Sequence, residues 1–337
     1  MDELILKLNQ IYAKVNTLTD AVGGRVLPDK LFEKEYYRDF PVCHEDMPDF
    51  KEKFLALTKG LDKESISTVV LMLKRLKQLK ASENRTLTFF SKEETERILQ
   101  LQDAFEKEII RLSEGCYYYG GYMLPSPRFE ESVFADRCGL GGVEKPESFA
   151  HKDIIDAGAF IGDSALILSE LTDGKVYAFE PTRENYDNML KTIELNSLAN
   201  VVPCNLALGS SKGVVQMTNS IVSSTNAYVE KSTMPYTATE TVEVVTLDEY
   251  VRENNLKVGL IKVDVEGAEQ EFLKGAMETI KTQRPTLLIS IYHNASDFYD
   301  IKPMLEKLNL GYSFKIRHPE IGTVMMETML IAEAAGE

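Results

Sequence analysis

The stretch Asp153-Ile-Ile-Asp156-Ala-Gly158-Ala159-Phe160-Ile-Gly162-Asp163-Ser164-Ala-Leu-Ile-Leu168, followed by Gly174-Lys-Val-Tyr-Ala-Phe-Glu180, decides the fold. Ile154 and Ile155 make a short buried strand, and Gly158 and Gly162 bracket a turn. Ala165, Leu166 and Leu168 supply the inner face of a helix. A second strand ends on an acid. This is the opening unit of a nucleotide-binding α/β sheet, in which a ligand meets bare backbone and a helix N-terminus. A dinucleotide fingerprint needs two further glycines, and counting from Gly158 those places hold Phe160 and Asp163. A pyrophosphate would meet a phenyl ring and a carboxylate there. S-adenosylmethionine carries no phosphate, and its sulfonium and ammonium tolerate nearby acids, so the loop favours that ligand. Glu180, 24 residues after Asp156, is placed to accept hydrogen bonds from ribose hydroxyls, a role that suits NAD equally well.

Downstream of this unit, strand and helix alternate. Strands are expected at 153–157, 175–180, near 200–205, at 260–264, 286–292, 312–317 and 327–332. Helices are expected at 162–171, 183–197, 247–254, 269–282 and 301–308, and an antiparallel pair near 213–218 and 241–245 flanks a Ser/Thr-rich stretch. Such alternation makes a doubly wound, mostly parallel α/β sheet over residues 151–337.

Upstream, residues 1–115 read as an α-helical N-terminal region. Leu4, Leu8, Ile11, Val15 and Leu18 form a short heptad seam, which either pairs with a second copy to give a homodimer or packs on its own domain. A short helix is expected around Asp29 to Arg38. Helical faces recur at 63–80 (Ile66, Val69, Val70, Leu73, Leu76) and at 91–114 (Ile98, Leu101, Phe105, Ile109, Leu112), the latter opened by a Ser91/Glu94 capping box. Residues 116–150 form a Tyr/Gly/Pro-rich linker and lead-in. There Tyr117, Tyr118, Tyr119 and Tyr122 surround Gly120-Gly121, either as a wall for a sugar or as a packed linker.

Composition removes several function classes. The 337 residues carry a formal charge of −15. Residues 1–150 hold 22 basic and 26 acidic side chains, a net of −4, and residues 151–337 hold 16 and 27, a net of −11. The nucleotide-binding half is the acidic one, which disfavours nucleic acid as a partner. No apolar run approaches the ~18 residues of a spanning helix, and Met1-Asp2-Glu3 lacks the basic start of a signal peptide, so a cytoplasmic chain without membrane insertion is expected. Cys43, Cys116, Cys138 and Cys204 lie far apart and read as small buried hydrophobes.

Five blocks carry a more specific resemblance: Asp156-Ala-Gly158-Ala-Phe-Ile-Gly162, Phe179-Glu180-Pro181, Asn205-Leu-Ala207-Leu-Gly209, Val245-Thr-Leu-Asp-Glu-Tyr250 and Asp264-Val-Glu266-Gly267-Ala-Glu269. In this order they resemble the FkbM-type methyltransferases over about residues 129–332. The chain departs from many members at the end of the fifth strand. There it reads Ser290-Ile-Tyr292-His293, as in a subgroup that also has an Arg-His pair like Arg317-His318 and a Glu-Thr like Glu327-Thr328. The resemblance implies a class I methyltransferase, Rossmann-like, with a seven-stranded sheet whose last strand is antiparallel. It implies S-adenosyl-L-methionine as cofactor and O-methylation of a hydroxyl on a sugar, glycan or related small molecule. An amine or carboxylate acceptor, or a non-catalytic cofactor-binding partner module, is the alternative.

Ligands of an open α/β sheet bind beyond the carboxyl ends of its strands, where Asp156, Glu180, Asn205, Asp264, Glu266, His293 and His318 all fall. The Gly158–Gly162 backbone, with Ala159, Phe160, Asp163 and Ser164, is assigned to the methionine part of the cofactor. Glu180 and Pro181 are assigned to the ribose, Asn205 and Leu206 to the adenine, and Asp156 to orienting the loop. His293, as a neutral imidazole, is the first choice of base, with Asp264 and Glu266 orienting it or binding hydroxyls. His318 is the rival base or, with Arg317, a clamp on an acidic acceptor. Asp264, Glu266, His293 and His318 also suit a divalent cation, but their spacing fits no fixed metal motif and no resident metal is assigned.

Overall fold

The computed structural model describes residues 36–81, 90–220, 226–228, 236–318 and 322–334. The heptad seam at residues 1–22 and most of the short helix expected at 29–38 lie outside them.

Seven strands form the central sheet: β4 (Asp153–Ala157), β5 (Val176–Phe179), β6 (Val201–Cys204), β11 (Val258–Val263), β12 (Thr286–Ser290), β13 (Tyr312–Arg317) and β14 (Met329–Ala334). Their spatial order is β13-β14-β12-β11-β4-β5-β6. β14 runs antiparallel to both neighbours, while β12, β11, β4, β5 and β6 pair in parallel. This is the class I methyltransferase sheet with its last strand reversed, as the resemblance implies. β11 and β12 are buried along their whole length, which is why they read as near-continuous apolar runs.

The crossovers are α5 (Asp163–Ser169), α6 (Arg183–Leu195), α7 (Leu247–Asn254), α8 (Glu269–Gly275), α9 (Met277–Gln283) and α10 (Ala295–Glu306). The single helix expected at 269–282 is two helices that meet at Ala276. A Cβ on Gly275 would lie 2.0 Å from the Gly209 carbonyl oxygen, so the backbones touch at this junction. α10 starts six residues before the expected Ile301, because Asn294 caps it by accepting from the Asp297 amide at 2.9 Å. Between β6 and α7, strands β7 (Ala207–Leu208), β8 (Gly213–Ser220), β9 (Asn226–Tyr228) and β10 (Tyr236–Val245) build a second sheet. Its β8–β10 pairing is the antiparallel pair of the sequence reading.

Upstream lie α1 (Phe50–Thr58), α2 (Lys63–Ala81) and α3 (Lys92–Glu108). The capping box opens α3 as expected, but the helix stops at Glu108. Instead of a last helical turn, Ile110–Ser113 is strand β1, which joins β2 (Cys116–Tyr119) and β3 (Tyr122–Leu124) in a small sheet, and Ile110 and Leu112 are exposed. The tyrosine-rich segment is therefore a hairpin. Tyr119 pairs with Tyr122 across Gly120 and Gly121, both at positive φ, as a two-residue turn between right-twisted strands requires. Ahead of β4 comes the short helix α4 (Glu131–Phe134).

α1 and α2 share the core of the large sheet. Leu57, Leu76 and Leu79 belong to one buried cluster with Ile261, Ile289, Phe298 and Phe314. Polar ties accompany the packing. Tyr299 donates to the Pro41 carbonyl, and Ser65 Oγ accepts from the amide of Ile316 and from Arg317 Nη1. All four cysteines are free thiols. No helix among the described residues is long and apolar enough to cross a membrane.

Candidate active site

A pocket of about 470 Å³ opens at the carboxyl ends of β4, β5, β11 and β12, a size ordinary for ligand sites. One side is the glycine loop. Gly158 sits at φ 81, and a Cβ there would lie 1.7 Å from the Asp264 carbonyl oxygen, so only glycine lets the two strand ends approach this closely. Lys262 and Asp156, both buried, hold this crossing. Lys262 Nζ lies 3.2 Å from Asp156 Oδ1 and donates to the Gly158 carbonyl, while Ser164 Oγ donates to Asp156 Oδ2 at 2.6 Å. Burial alone would drive the Lys262 ammonium down, but Asp156 and Asp264 more than offset it and keep the pKa raised. Asp156 is thus tied to Lys262 and Ser164 beneath the loop.

Phe160 adopts φ 48, unusual for a bulky residue, and its amide donates to Glu180 Oε2 at 3.1 Å. Glu180 Oε1 accepts from the Thr182 amide and hydroxyl. Burial pushes the Glu180 carboxyl up to about 7 against these hydrogen bonds. Phe160, Asp163, Ser164, Glu180, Pro181 and Leu206 line the pocket. Ala159 is wholly buried behind the loop, and Gly162, at φ 85, is the N-cap of α5.

Asn205 does not face the pocket. Its Nδ2 donates to the carbonyls of Glu180 and Pro181, pinning the turn after β5, and the apolar wall comes from Leu206, Leu208 and Met217. The adenine assignment of Asn205 is corrected accordingly.

Across from the loop, Asp264, Glu266 and His293 meet. Glu266 at φ 57 and Gly267 at φ 94 turn the chain sharply after β11. His293, its side chain 2% exposed, has Nε2 at 3.2 Å from Glu266 and 3.5 Å from Asp264, and Nδ1 at 3.0 Å from the fully buried Glu269. Neither ring nitrogen makes an aligned hydrogen bond. Burial would lower the imidazole, but Glu269 and Glu266 hold it well above its usual value. The surrounding carboxylates thus favour positive charge at this ring more than burial opposes it, where the sequence suggested a neutral imidazole. Burial pushes Asp264 to about 7, opposed chiefly by His293, and Asp163 to about 6, opposed chiefly by Lys262.

His318 lies elsewhere. Its Nε2 is 3.1 Å from Thr323 Oγ1, and it lines a separate cavity of about 230 Å³ with Arg75, Glu94 and Arg97. Arg317 is engaged by Asp62 at 2.8 Å and Glu64 at 3.1 Å. Neither the rival-base nor the clamp reading places these two in the pocket. The hairpin tyrosines are absent from its lining too: Tyr119 packs on Phe105 and Phe129, and Tyr122 donates to Glu170.

The structure also brings in Lys262, Glu130, Tyr36 and Arg128, which sequence reasoning missed, and Glu327, which it named only as part of the Glu-Thr pair and gave no role. Lys262 left a signal, a lysine inside the otherwise apolar Val258-Gly-Leu-Ile-Lys-Val263. Glu130 and Tyr36 left none, since both reach the pocket from elements outside the β/α repeat.

Residues 156–314 match the family described as Methyltransferase FkbM domain. The hexuronic acid methyltransferase AglP of Haloferax volcanii is 28% identical over 157 residues, covering 46% of this chain and 62% of that protein. Methyltransferase 1 of Beauveria bassiana is 24% identical over 224 residues, covering 59% of this chain and 88% of that protein. Among solved structures, the methyltransferase FkbM of Methylobacillus flagellatus shares the fold with a TM-score of 0.54 at 20% identity, covering 86% of this chain and 60% of that one. The chain therefore spans less than two thirds of the haloarchaeal and the Methylobacillus proteins.

Proposed function

We propose, from the match of residues 156–314 to the FkbM methyltransferase domain, that the chain moves a methyl group from S-adenosylmethionine to a hydroxyl of a sugar or glycan. One observation carries this reading. The glycine loop with Glu180 and the Asp264, Glu266 and His293 cluster face each other across one pocket, a donor side and an acceptor side.

The donor side fits the cofactor. When bound, S-adenosylmethionine supplies an electrophilic methyl on a cationic sulfur. Glu180 would take its ribose hydroxyls, and two such donors favour the carboxylate that burial disfavours. Leu206, Leu208 and Met217 would pack on the adenine, and the backbone at 158–160 would receive the methionine part. The acids around the loop suit a ligand with two positive groups and repel a pyrophosphate.

On the acceptor side, the cluster would bind and align the hydroxyl, and alignment supplies much of the rate of an in-line displacement. The acceptor oxygen would attack the methyl in line as its bond to sulfur breaks, the electron pair staying on sulfur, and a carboxylate of the cluster would take the hydroxyl proton. A sugar acceptor is supported by the haloarchaeal relative, whose own acceptor is a hexuronic acid.

Incubation with methyl-labelled S-adenosylmethionine and a panel of neutral and uronic-acid oligosaccharides tests this. Alkali-stable label on a sugar, an ether, is the expected product. Base-labile label would mean transfer to a carboxylate, and an unlabelled panel despite cofactor binding would remove the glycan reading.

A further inference from the structure

Six carboxylates line the pocket (Glu130, Asp163, Glu180, Asp264, Glu266 and Glu327), against the two fixed cations Arg128 and Lys262. A cofactor of the proposed kind leaves much of that excess unbalanced. The excess is greatest at His293, where the unsatisfied atoms also gather. Four buried side-chain nitrogen and oxygen atoms without a hydrogen bond lie in His293, Asp264 and Glu269.

We propose that this cluster binds a divalent cation held by His293 Nε2 and Asp264, with Glu266 beside Nε2 on the pocket side and Glu269 as the residue that positions the ring. The inference rests on the acceptor-side reading above and deepens it. Asp264, Glu269 and His293 each present a ligand atom within 4.8 Å of the others. Which carboxylate ligates is decided by the side of the ring. Nε2, Asp264 and Glu266 face the pocket, whereas Glu269 is fully buried behind Nδ1 and also accepts from the Val265 amide.

Distances agree. Two ligand atoms about 2.1 Å from one ion are about 3.0 Å apart at a right angle and about 3.4 Å at a tetrahedral one. The Nε2 separation of 3.5 Å to Asp264 matches such a ligand edge to within a few tenths of an ångström, and Glu266 stands 3.2 Å from Nε2. The cation would take the place of the proton that the acids otherwise favour on the ring, and Nε2 makes no aligned hydrogen bond along either line. Glu269 at Nδ1 is the outer carboxylate that metal-bound histidines usually carry.

An imidazole with a carboxylate ligand suits Mn²⁺ or a neighbouring first-row ion, with the remaining positions open to oxygen. The acceptor class follows. It carries two neighbouring oxygens, a vicinal diol or an α-hydroxycarboxylate, which the ion holds together beside the donor methyl. An anionic sugar could then enter a pocket that would otherwise repel it.

The test uses the full chain, stripped with EDTA, dialysed and titrated with Mn²⁺ while the resonance signal of the free ion is followed. One site per chain is expected. Asp264→Asn and His293→Ala should each weaken it at least 10-fold, Glu269→Gln should do so by ~10–100-fold, and His318→Gln should leave it unchanged. Calorimetry with S-adenosylmethionine shows that each variant is folded. No stoichiometric binding at millimolar Mn²⁺, or wild-type binding by the folded Asp264 and His293 variants, overturns the proposal. Methyl transfer that persists in EDTA without any Mn²⁺ site sinks the metal and spares the activity. Stoichiometric Mn²⁺ without transfer to any sugar does the reverse.

Discussion

At the scale of single residues, two groups carry opposite burdens. Glu180 is buried at the pocket wall and already holds the Phe160 and Thr182 amides. Glu180→Ala would remove the partner of the ribose hydroxyls and release those amides. Hydrogen bonds to a charged group contribute about 1.5–3 kcal/mol each, so calorimetry should find S-adenosylmethionine bound roughly 100-fold more weakly. Unchanged affinity would refute the ribose assignment. His318 matters to stability instead. Burial, reinforced by Arg75, holds its imidazole down to about 4, whereas the unfolded chain titrates it near 6.5. Between those values the unfolded state binds a proton that the folded state does not, so stability falls as pH drops from about 6.5 to about 4 and falls no further from this source below that. At full extent the effect is about 3 kcal/mol. Urea titrations of His318→Gln should show a flatter decline over that window than the parent, and parallel curves would refute the assignment.

At the scale of elements, the glycine loop is the part that tolerates least change. Gly158→Ala would combine a positive φ with a Cβ driven into the Asp264 carbonyl, at a cost of roughly 2 kcal/mol or more. The expected outcome is a melting temperature lower by several degrees together with weakened cofactor binding. A variant that melts and binds like the parent would show that β4 and β11 do not cross this closely. This loop was legible from residue order because glycine spacing and apolar runs are local signals, and so were the alternation of strands and helices and the Ser91 cap. What was not legible depended on distance or context. Ile109 and Leu112 fit a helical period, but the helix ends at Glu108 and pairing with the Gly120-Gly121 hairpin drew Leu112 into strand β1. The edge position of Asn205 predicted a ligand contact, yet two carbonyls take its amide. His318 follows a strand whose C-terminal end faces α2 rather than the pocket. His293 was found, but its charge state was not, since Glu269 reaches it through α8 packing rather than through proximity in sequence.

At the scale of the whole molecule, the N-terminal helices and the nucleotide-binding sheet are joined by one core rather than by a surface contact. Leu76 and Leu79 on α2 lie in the same apolar cluster as Ile261 of β11 and Ile289 of β12. Lys302, 1% exposed on α10, reaches back to the Ala56 and Lys59 carbonyls at the end of α1. A buried ammonium is tolerated there because carbonyl oxygens and Glu306 surround it. Loosening α2 should therefore loosen the floor of the pocket. Leu76→Ala, at a site with no solvent exposure, should cost about 2–5 kcal/mol, on the order of 5–10 °C in melting temperature. Because the core is shared, hydrogen exchange should show the amides of β4 and β11 losing protection in step with those of α2, although Leu76 lies outside the pocket lining. If α2 opened alone while β4 and β11 kept parental protection, the helices would be an independent unit resting on the sheet, and the shared core would not be what couples them to the pocket.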